Sequence, residues 1–314
     1  MAQNNNIAQE PIWKSGKDGY HTYRIPALTV TTKGTILAFC EGRSGGSGDT
    51  GKIDLLVKRS RDNGKTWSDQ KVIWNDANNT CGNPAPVVDN KTGKIWLLGT
   101  WNRGDDHESR IIDGTSKDTR RVFVMSSANE GITWSTPKEI TSDTKQTNWT
   151  WYATGPGSGI QIEKGPHAGR LVIACDHMEA GTKKYYSHVI FSDDHGKTWK
   201  LGGTTPEPQV NECEVVELSN GQLMLNMRNY NKAGKRRQTA ISDDGGETWS
   251  DQRIDDNLIE PICQASIQRY SWPQGNKKNI VLFSNPASTS GRVKMTVRAS
   301  FDDCKTWPES LVLH

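Results

Sequence analysis

No apolar run in the 314 residues approaches the roughly 18–20 needed to cross a bilayer as a helix. No segment carries an apolar period of 3.6 with caps at both ends, so helices should be few. Charge of one sign is not in excess. The 39 Lys and Arg and 36 Asp and Glu leave a net +3 with the basic residues scattered, so no polybasic stripe marks a nucleic acid partner or an anionic membrane surface. The opening MAQNNNIAQE lacks both the charged and the apolar regions of a signal peptide. Cysteine pairs of the CxxC kind are missing. Cys40, Cys81, Cys175, Cys213, Cys263 and Cys304 stand singly, mostly in or beside apolar runs, and read as buried free thiols. Nothing in the spacing supports a structural zinc, and His177 and His188 are not spaced as metal ligands. The Gly-rich RSGGSGDTGK from Arg43 lacks the GxxxxGK[ST] order and no helix pattern follows it, which excludes a P-loop. No metal and no cofactor is expected.

What is present is a repeat. Ser60 to Trp67 reads SRDNGKTW, and close copies run from Ser127 (SANEGITW), Ser192 (SDDHGKTW), Ser242 (SDDGGETW) and Ser300 (SFDDCKTW). The second copy has Asn129 for the central Asp, and the fifth has Cys304 for Gly. Each describes a hairpin turn: an Asx side chain folded onto nearby backbone N–H groups, a Gly for positive φ, and a Trp leaving the turn to pack beneath it. The box serines lie 50 to 67 residues apart, a period suited to four-stranded propeller blades with variable loops.

Two apolar segments precede each box, as YRIPALTV from Tyr23 and GTILAFCEGR from Gly34 precede the first, and a third leads straight into it. A short fourth follows the Trp, as in WSDQKVIW. The chain therefore reads as all-β, a single domain over 1–314 built from strand, turn, strand, loop, strand, box, strand. Five such units end at Trp307, with the last strand near His314. PIWKS, before Tyr23, is a candidate outer strand closing a ring, which would make the chain a six-bladed propeller with its last blade truncated.

Antiparallel alternation puts the start of strand one, the end of strand two and the loop into strand three at one end of each unit, with the boxes at the other. The boxes are thus expected to be structural. The opposite end gathers Arg24, Asn83, Tyr152 and Glu212 from first strands and Arg43, Trp101, Asp176, His177 and Arg228 from second strands. Asp49 and Arg292 join them from the loops into third strands. Glu212 and Glu214 alternate on one strand and, taken alone, describe an exposed face near Glu217. Several arginines around one point form a costly arrangement unless they grip an anion such as a carboxylate.

YRIPAL, EGR, GNPAP, YATGPG, NECEVVEL and MRN, together with the boxes, resemble the exo-α-sialidases over essentially the whole chain. That resemblance implies a six-bladed propeller acting on sialylated glycans in a secreted or periplasmic setting. It points to Arg24, Arg228 and Arg292 as the carboxylate-binding triad, Asp49 as the acid/base, Glu212 as activator of a tyrosine nucleophile, and Arg43 as a neighbouring subsite arginine. It further implies that Asn83, Trp101 and Asp106 line N-acetyl or hydroxyl subsites, and that Tyr152, Asp176 and His177 meet the glycerol arm.

A substrate with a carboxylate at its anomeric carbon would repel a carboxylate nucleophile, and sialidases use tyrosine instead. In the family that tyrosine follows the fifth box. None of the seven tyrosines here matches it, so the nucleophile and the closing strands are expected outside this sequence, in a separate C-terminal fragment if one exists. Two other readings compete: an inactive sialic-acid-binding propeller, and a scaffold whose basic cluster pairs internally.

Overall fold

The computed structural model describes residues 9–231 and 234–314, so most of the MAQNNNIAQE opening lies outside the described residues. Its strands form four sheets, the largest of eight strands. Unit one comprises β1 (Thr22–Val30), β2 (Ile36–Arg43), β3 (Ile53–Ser60) and β4 (Lys71–Trp74). Unit two holds β5 (Thr80–Asp89), β6 (Lys94–Asn102), α1 (Glu108–Ile112), β7 (Arg121–Ser127), β8 (Lys138–Glu139) and α2 (Thr141–Thr144). These two share the eight-stranded sheet through one parallel pair, Ile53 with Thr80; pairing within each is antiparallel.

Unit three is β9 (Trp149–Thr154), β10 (Ile160–Gln161), β11 (Leu171–Glu179), β12 (Tyr185–Ser192) and β13 (Lys200–Thr204), with β9 and β10 both pairing β11. Unit four runs β14 (Val210–Glu217), β15 (Leu223–Asn229), β16 (Arg236–Ser242) and β17 (Ser250–Ile259). Unit five runs β18 (Ser266–Ser271), β19 (Ile280–Pro286), β20 (Met295–Ser300) and β21 (Glu309–Val312). The fold is all-β, and among the described residues its helices are short.

Each box closes as its residues dictate. The Ser60 hydroxyl donates to Asp62 at 2.8 Å and accepts from the Gly64 N–H at 2.8 Å. Asp62 accepts from Thr66 N–H at 2.9 Å, and the Trp67 indole donates to the Gly64 carbonyl at 3.1 Å. Asn129 likewise accepts from Thr133 N–H at 2.9 Å. Its amide donates to the Thr133 hydroxyl at 2.8 Å where the Thr66 hydroxyl donates to Asp62, so the bond is kept with its direction reversed. Cys304 takes the glycine's left-handed φ, at 67°, an unfavourable conformation for a residue with a Cβ.

Packing follows from alternation along the strands. Four apolar clusters lie between consecutive units: Leu37, Phe39 and Ile95 join units one and two, and Val87, Trp96 and Ile173 join two and three. Val172, Val215 and Leu225 join units three and four, while Val216, Ile267 and Phe283 join four and five. No such cluster joins unit five to unit one among the described residues, and Leu28 and Val30 of β1 remain 53% and 56% exposed.

Residues 11–15, read as an outer strand, form none; Trp13 instead stacks on Tyr23 and the Ile12 carbonyl accepts from Lys58. All six cysteines are free, and five are buried. Glu214 and Glu217 are buried rather than exposed. Glu214 accepts from Ser158 N–H, Ile267 N–H and the Ser266 hydroxyl, linking units three, four and five.

Candidate active site

First strands are bulged at one end, with register shifts between Arg24 and Ala27, Gly82 and Ala85, and Val210 and Cys213. Ile25 and Asn83 take positive φ there, 56° and 53°. Such bulges re-aim side chains and gather at sites rather than in plain sheet. They surround a cavity of about 210 Å³ to which all five units contribute. A cavity of similar volume near the boxes of units one and two has no comparable cluster of charge.

On one wall, Arg24 donates to Asp49 Oδ1 at 3.0 Å, and Arg43 reaches the same oxygen at 2.7 Å. Arg43 is buried, with Glu41 at 2.9 and 2.5 Å and the Ser47 and Gly48 carbonyls at 2.7 and 2.9 Å. It braces the Asp49 loop. Asp49 keeps 55% of its side chain exposed.

Opposite, Arg228 pairs with Glu212 at 2.5 Å, while the Arg228 Nε–H is buried without a partner. Tyr230 lies under the Arg228 guanidinium and donates to Asn211 at 3.0 Å; its phenol is held well above its usual range, first by burial. Asn211 in turn donates to Asp176 Oδ1 at 2.7 Å, and Asp176 Oδ2 has no partner. Asp176 is fully buried, so desolvation, helped by Glu212, pushes its carboxyl well up. Arg292 reaches the rim from the β19–β20 loop. Beside the cavity floor Arg120 donates to Asn83 at 2.5 Å, to Thr100 and to Asn102, and stacks on Trp151 at 4.1 Å.

Four residues read into this site lie elsewhere. Tyr152 points into the core of unit three against Trp149 and His188, and its neighbour Trp151 faces the cavity. His177 is likewise buried on the Trp149 ring, 3.4 Å between centroids, since Asp176 occupies the inward position. Trp101 turns outward to donate to Asp76 at 2.7 Å. Asp106, buried, accepts the Lys117 and Asp118 N–H groups and so shapes a loop. Conversely, Glu41, Glu108, Arg120, Trp151 and Tyr230 line the cavity without having been picked from the sequence. Arg120 precedes β7 as Asp49 precedes β3 and Arg292 precedes β20, and that shared position is the signal that was there to use.

A family model described as BNR repeat-like domain matches residues 34–314. A sialidase of Paraclostridium sordellii is 30% identical over 98% of this chain and 82% of its own length. The chain belongs to the sialidase family. A second family member, the Micromonospora viridifaciens sialidase, is 36% identical over 97% of this chain, which spans about half, 48%, of that relative. A solved Hadza microbial sialidase superposes with a TM-score of 0.86 at 33% identity, covering 95% of this chain and 60% of that one. Against this sialidase background, Arg24, Arg43, Asp49, Asn83, Asp176, Glu212, Arg228 and Arg292 are the picked residues that share the cavity.

Proposed function

We propose that the cavity is the glycone pocket of a retaining exo-sialidase that releases terminal α-linked sialic acid from glycoconjugates. The observation that carries this reading is the meeting of Arg24, Arg228 and Arg292, from three separate units, around one small cavity. Paired guanidinium N–H donors suit a carboxylate, and sialic acid presents one at the carbon where positive charge develops. Asp49, exposed at the rim, is assigned the proton to the leaving oxygen and then the activation of water. For that it must exchange its contact with Arg24, which the substrate carboxylate would take over. Glu212 is assigned the deprotonation of a tyrosine nucleophile.

Tyr230 is the tyrosine that lines the cavity. Its hydroxyl is committed to Asn211 and its phenol is held protonated, which makes it a support for Arg228 and not the nucleophile. The proposal therefore assigns the nucleophile to a sixth four-stranded unit outside these 314 residues, on the same polypeptide or a separate fragment. The exposed apolar side chains of β1, and the lack of a cluster between units five and one among the described residues, support that ring closure. The engagement of Tyr230 equally favours a second reading for this chain alone: sialic acid held without turnover.

Fluorophore release from an α-linked N-acetylneuraminic acid conjugate, on protein of verified intact mass, separates these. Turnover by a chain of 314 residues overturns the assignment of the nucleophile. Saturable binding without turnover, with affinity preserved in Asp49→Ala, supports the binding reading. Absence of both overturns the sialic acid assignment.

A further inference from the structure

The cavity is lined by five arginines and five carboxyl-bearing residues. With all of them ionised it would be electrically neutral, a poor receptor for an anion. Four of the carboxyls are held by neighbours. Glu41 and Asp49 accept from arginines, Glu212 pairs with Arg228, and Asp176 accepts from Asn211. The fifth, Glu108, makes no hydrogen bond or ion pair among the described residues. It opens α1, the short helix inserted between β6 and β7, whose other side is anchored by Ile111 against Trp151 and Met178. The helix thus delivers one unpaired carboxyl into a cavity whose other acids each have at least one hydrogen-bond partner.

Its surroundings comprise Arg120 ahead of β7, Asp49 in the β2–β3 loop, and Arg228 and Glu212 on β15 and β14. Asp176 on β11, Tyr185 on β12 and Tyr230 after β15 also fall within electrostatic reach. β9, packed beside α1, presents the uncharged Trp151. Arg110 shares the helix. Bringing a sugar carboxylate to Arg24, Arg228 and Arg292 adds a negative charge to this balanced set. Of the two carboxyls without a cation of their own, Asp176 is fully buried and bonded to Asn211. Glu108 is only partly buried and can exchange a proton with solvent, so it is the group best placed to absorb the change.

We propose that Glu108 takes up one proton from solvent when the anionic sugar binds, and then serves as a hydrogen-bond donor to it. The inference rests on the sialic-acid reading above and deepens it, making recognition of the anion proton-coupled. Burial already pushes the Glu108 carboxyl above the usual glutamate range, the direction that proton uptake requires.

The test is calorimetric binding of the 2,3-dehydro derivative of N-acetylneuraminic acid, in buffers of different ionisation enthalpy, from about pH 5 to about pH 8. The chain should take up about one proton per site, and Kd should weaken about tenfold per pH unit on the alkaline side. Glu108→Gln, a permanent neutral donor of the same size, should bind without proton uptake and with a flat pH profile. Glu108→Leu, which cannot donate, should bind about tenfold more weakly than Glu108→Gln. Proton uptake and pH slope unchanged in Glu108→Gln would assign the proton elsewhere and overturn the role of Glu108. Absence of saturable binding in both folded proteins would overturn the underlying sialic-acid reading instead.

Discussion

Glu212 and Arg228 hold each other at 2.5 Å across a cavity that leaves each side chain 18% exposed. In the proposed reaction the two have different clients, since Arg228 is assigned the substrate carboxylate and Glu212 a phenol. The ion pair is therefore a resting arrangement with which the substrate competes. Glu212→Gln should abolish turnover in any active form while leaving sialic acid affinity equal or higher. Arg228→Lys keeps the charge but loses the planar fork and should weaken binding tenfold or more, about 1.4 kcal/mol. Calorimetric titration of the two variants checks both directions, and weaker binding in Glu212→Gln would count against the competition.

How much of this was legible depended on whether a residue's role is local or relational. The boxes are local: Ser60, Asp62, Gly64 and Trp67 satisfy one another within eight positions, and the turn could be read off them. The end of the units at which a site could form followed from alternation. The side to which a rim residue points did not. Trp151 and Tyr152 are both aromatic and adjacent, and β9 is bulged against β11, so counting alone could not choose the inward ring. Glu214 reads as surface because its donors, Ser158, Ser266 and Ile267, come from other units. Glu108 sits in an inserted helix that no repeat predicts.

A buried histidine pair gives the fold an acid limit. His177 and His188 meet Nδ1 to Nδ1 at 3.0 Å, both Nε2 atoms lack partners, and both rings are buried. Desolvation lowers His177 to about 3 and drives His188 well below its ordinary 6.5. The unfolded chain thus binds more protons below pH 6.5, and stability falls as pH drops from 6.5 toward 3. For His177 alone the loss at pH 5 is about 2 kcal/mol. His177→Phe should flatten the fall in thermal midpoint between pH 7 and pH 5. An unchanged slope would place the acid sensitivity in other groups.

Arg170 makes the boxes of units three and four interdependent. Its side chain is 5% exposed, and its guanidinium pairs with Asp193 at 2.7 Å and Glu247 at 2.9 Å, donates to the Gly245 carbonyl, and lies 3.9 Å over Phe191. Arg170→Ala removes a buried hub and its apolar stem together and should cost about 1.5–3 kcal/mol, since Asp193 and Glu247 stay about half exposed to water. Arg170→Met, which keeps the stem, should recover part of that loss. Denaturant unfolding of both variants measures it, and equal losses would mean that packing over Phe191 contributes nothing.

Two glycines in equivalent box positions allow backbone strain to be separated from packing between units. Gly64 and Gly196 both have φ of 84°, so alanine meets the same left-handed penalty at each, about 1–2 kcal/mol. Their surroundings differ. A Cβ on Gly64 would have only Trp67 near it, at 3.9 Å, whereas on Gly196 it would fall 2.1 Å from Trp96 Cε2. Trp96 belongs to unit two and packs in the cluster shared with unit three, so it cannot yield without opening that interface. Gly64→Ala should therefore lose only the backbone term, and Gly196→Ala a further 2 kcal/mol or more, in the range of overpacked cores at about 1–3 kcal/mol. Equal losses at the two sites would mean that the box turn of unit three can move away from unit two at little cost, and that the interface is held by the strands alone.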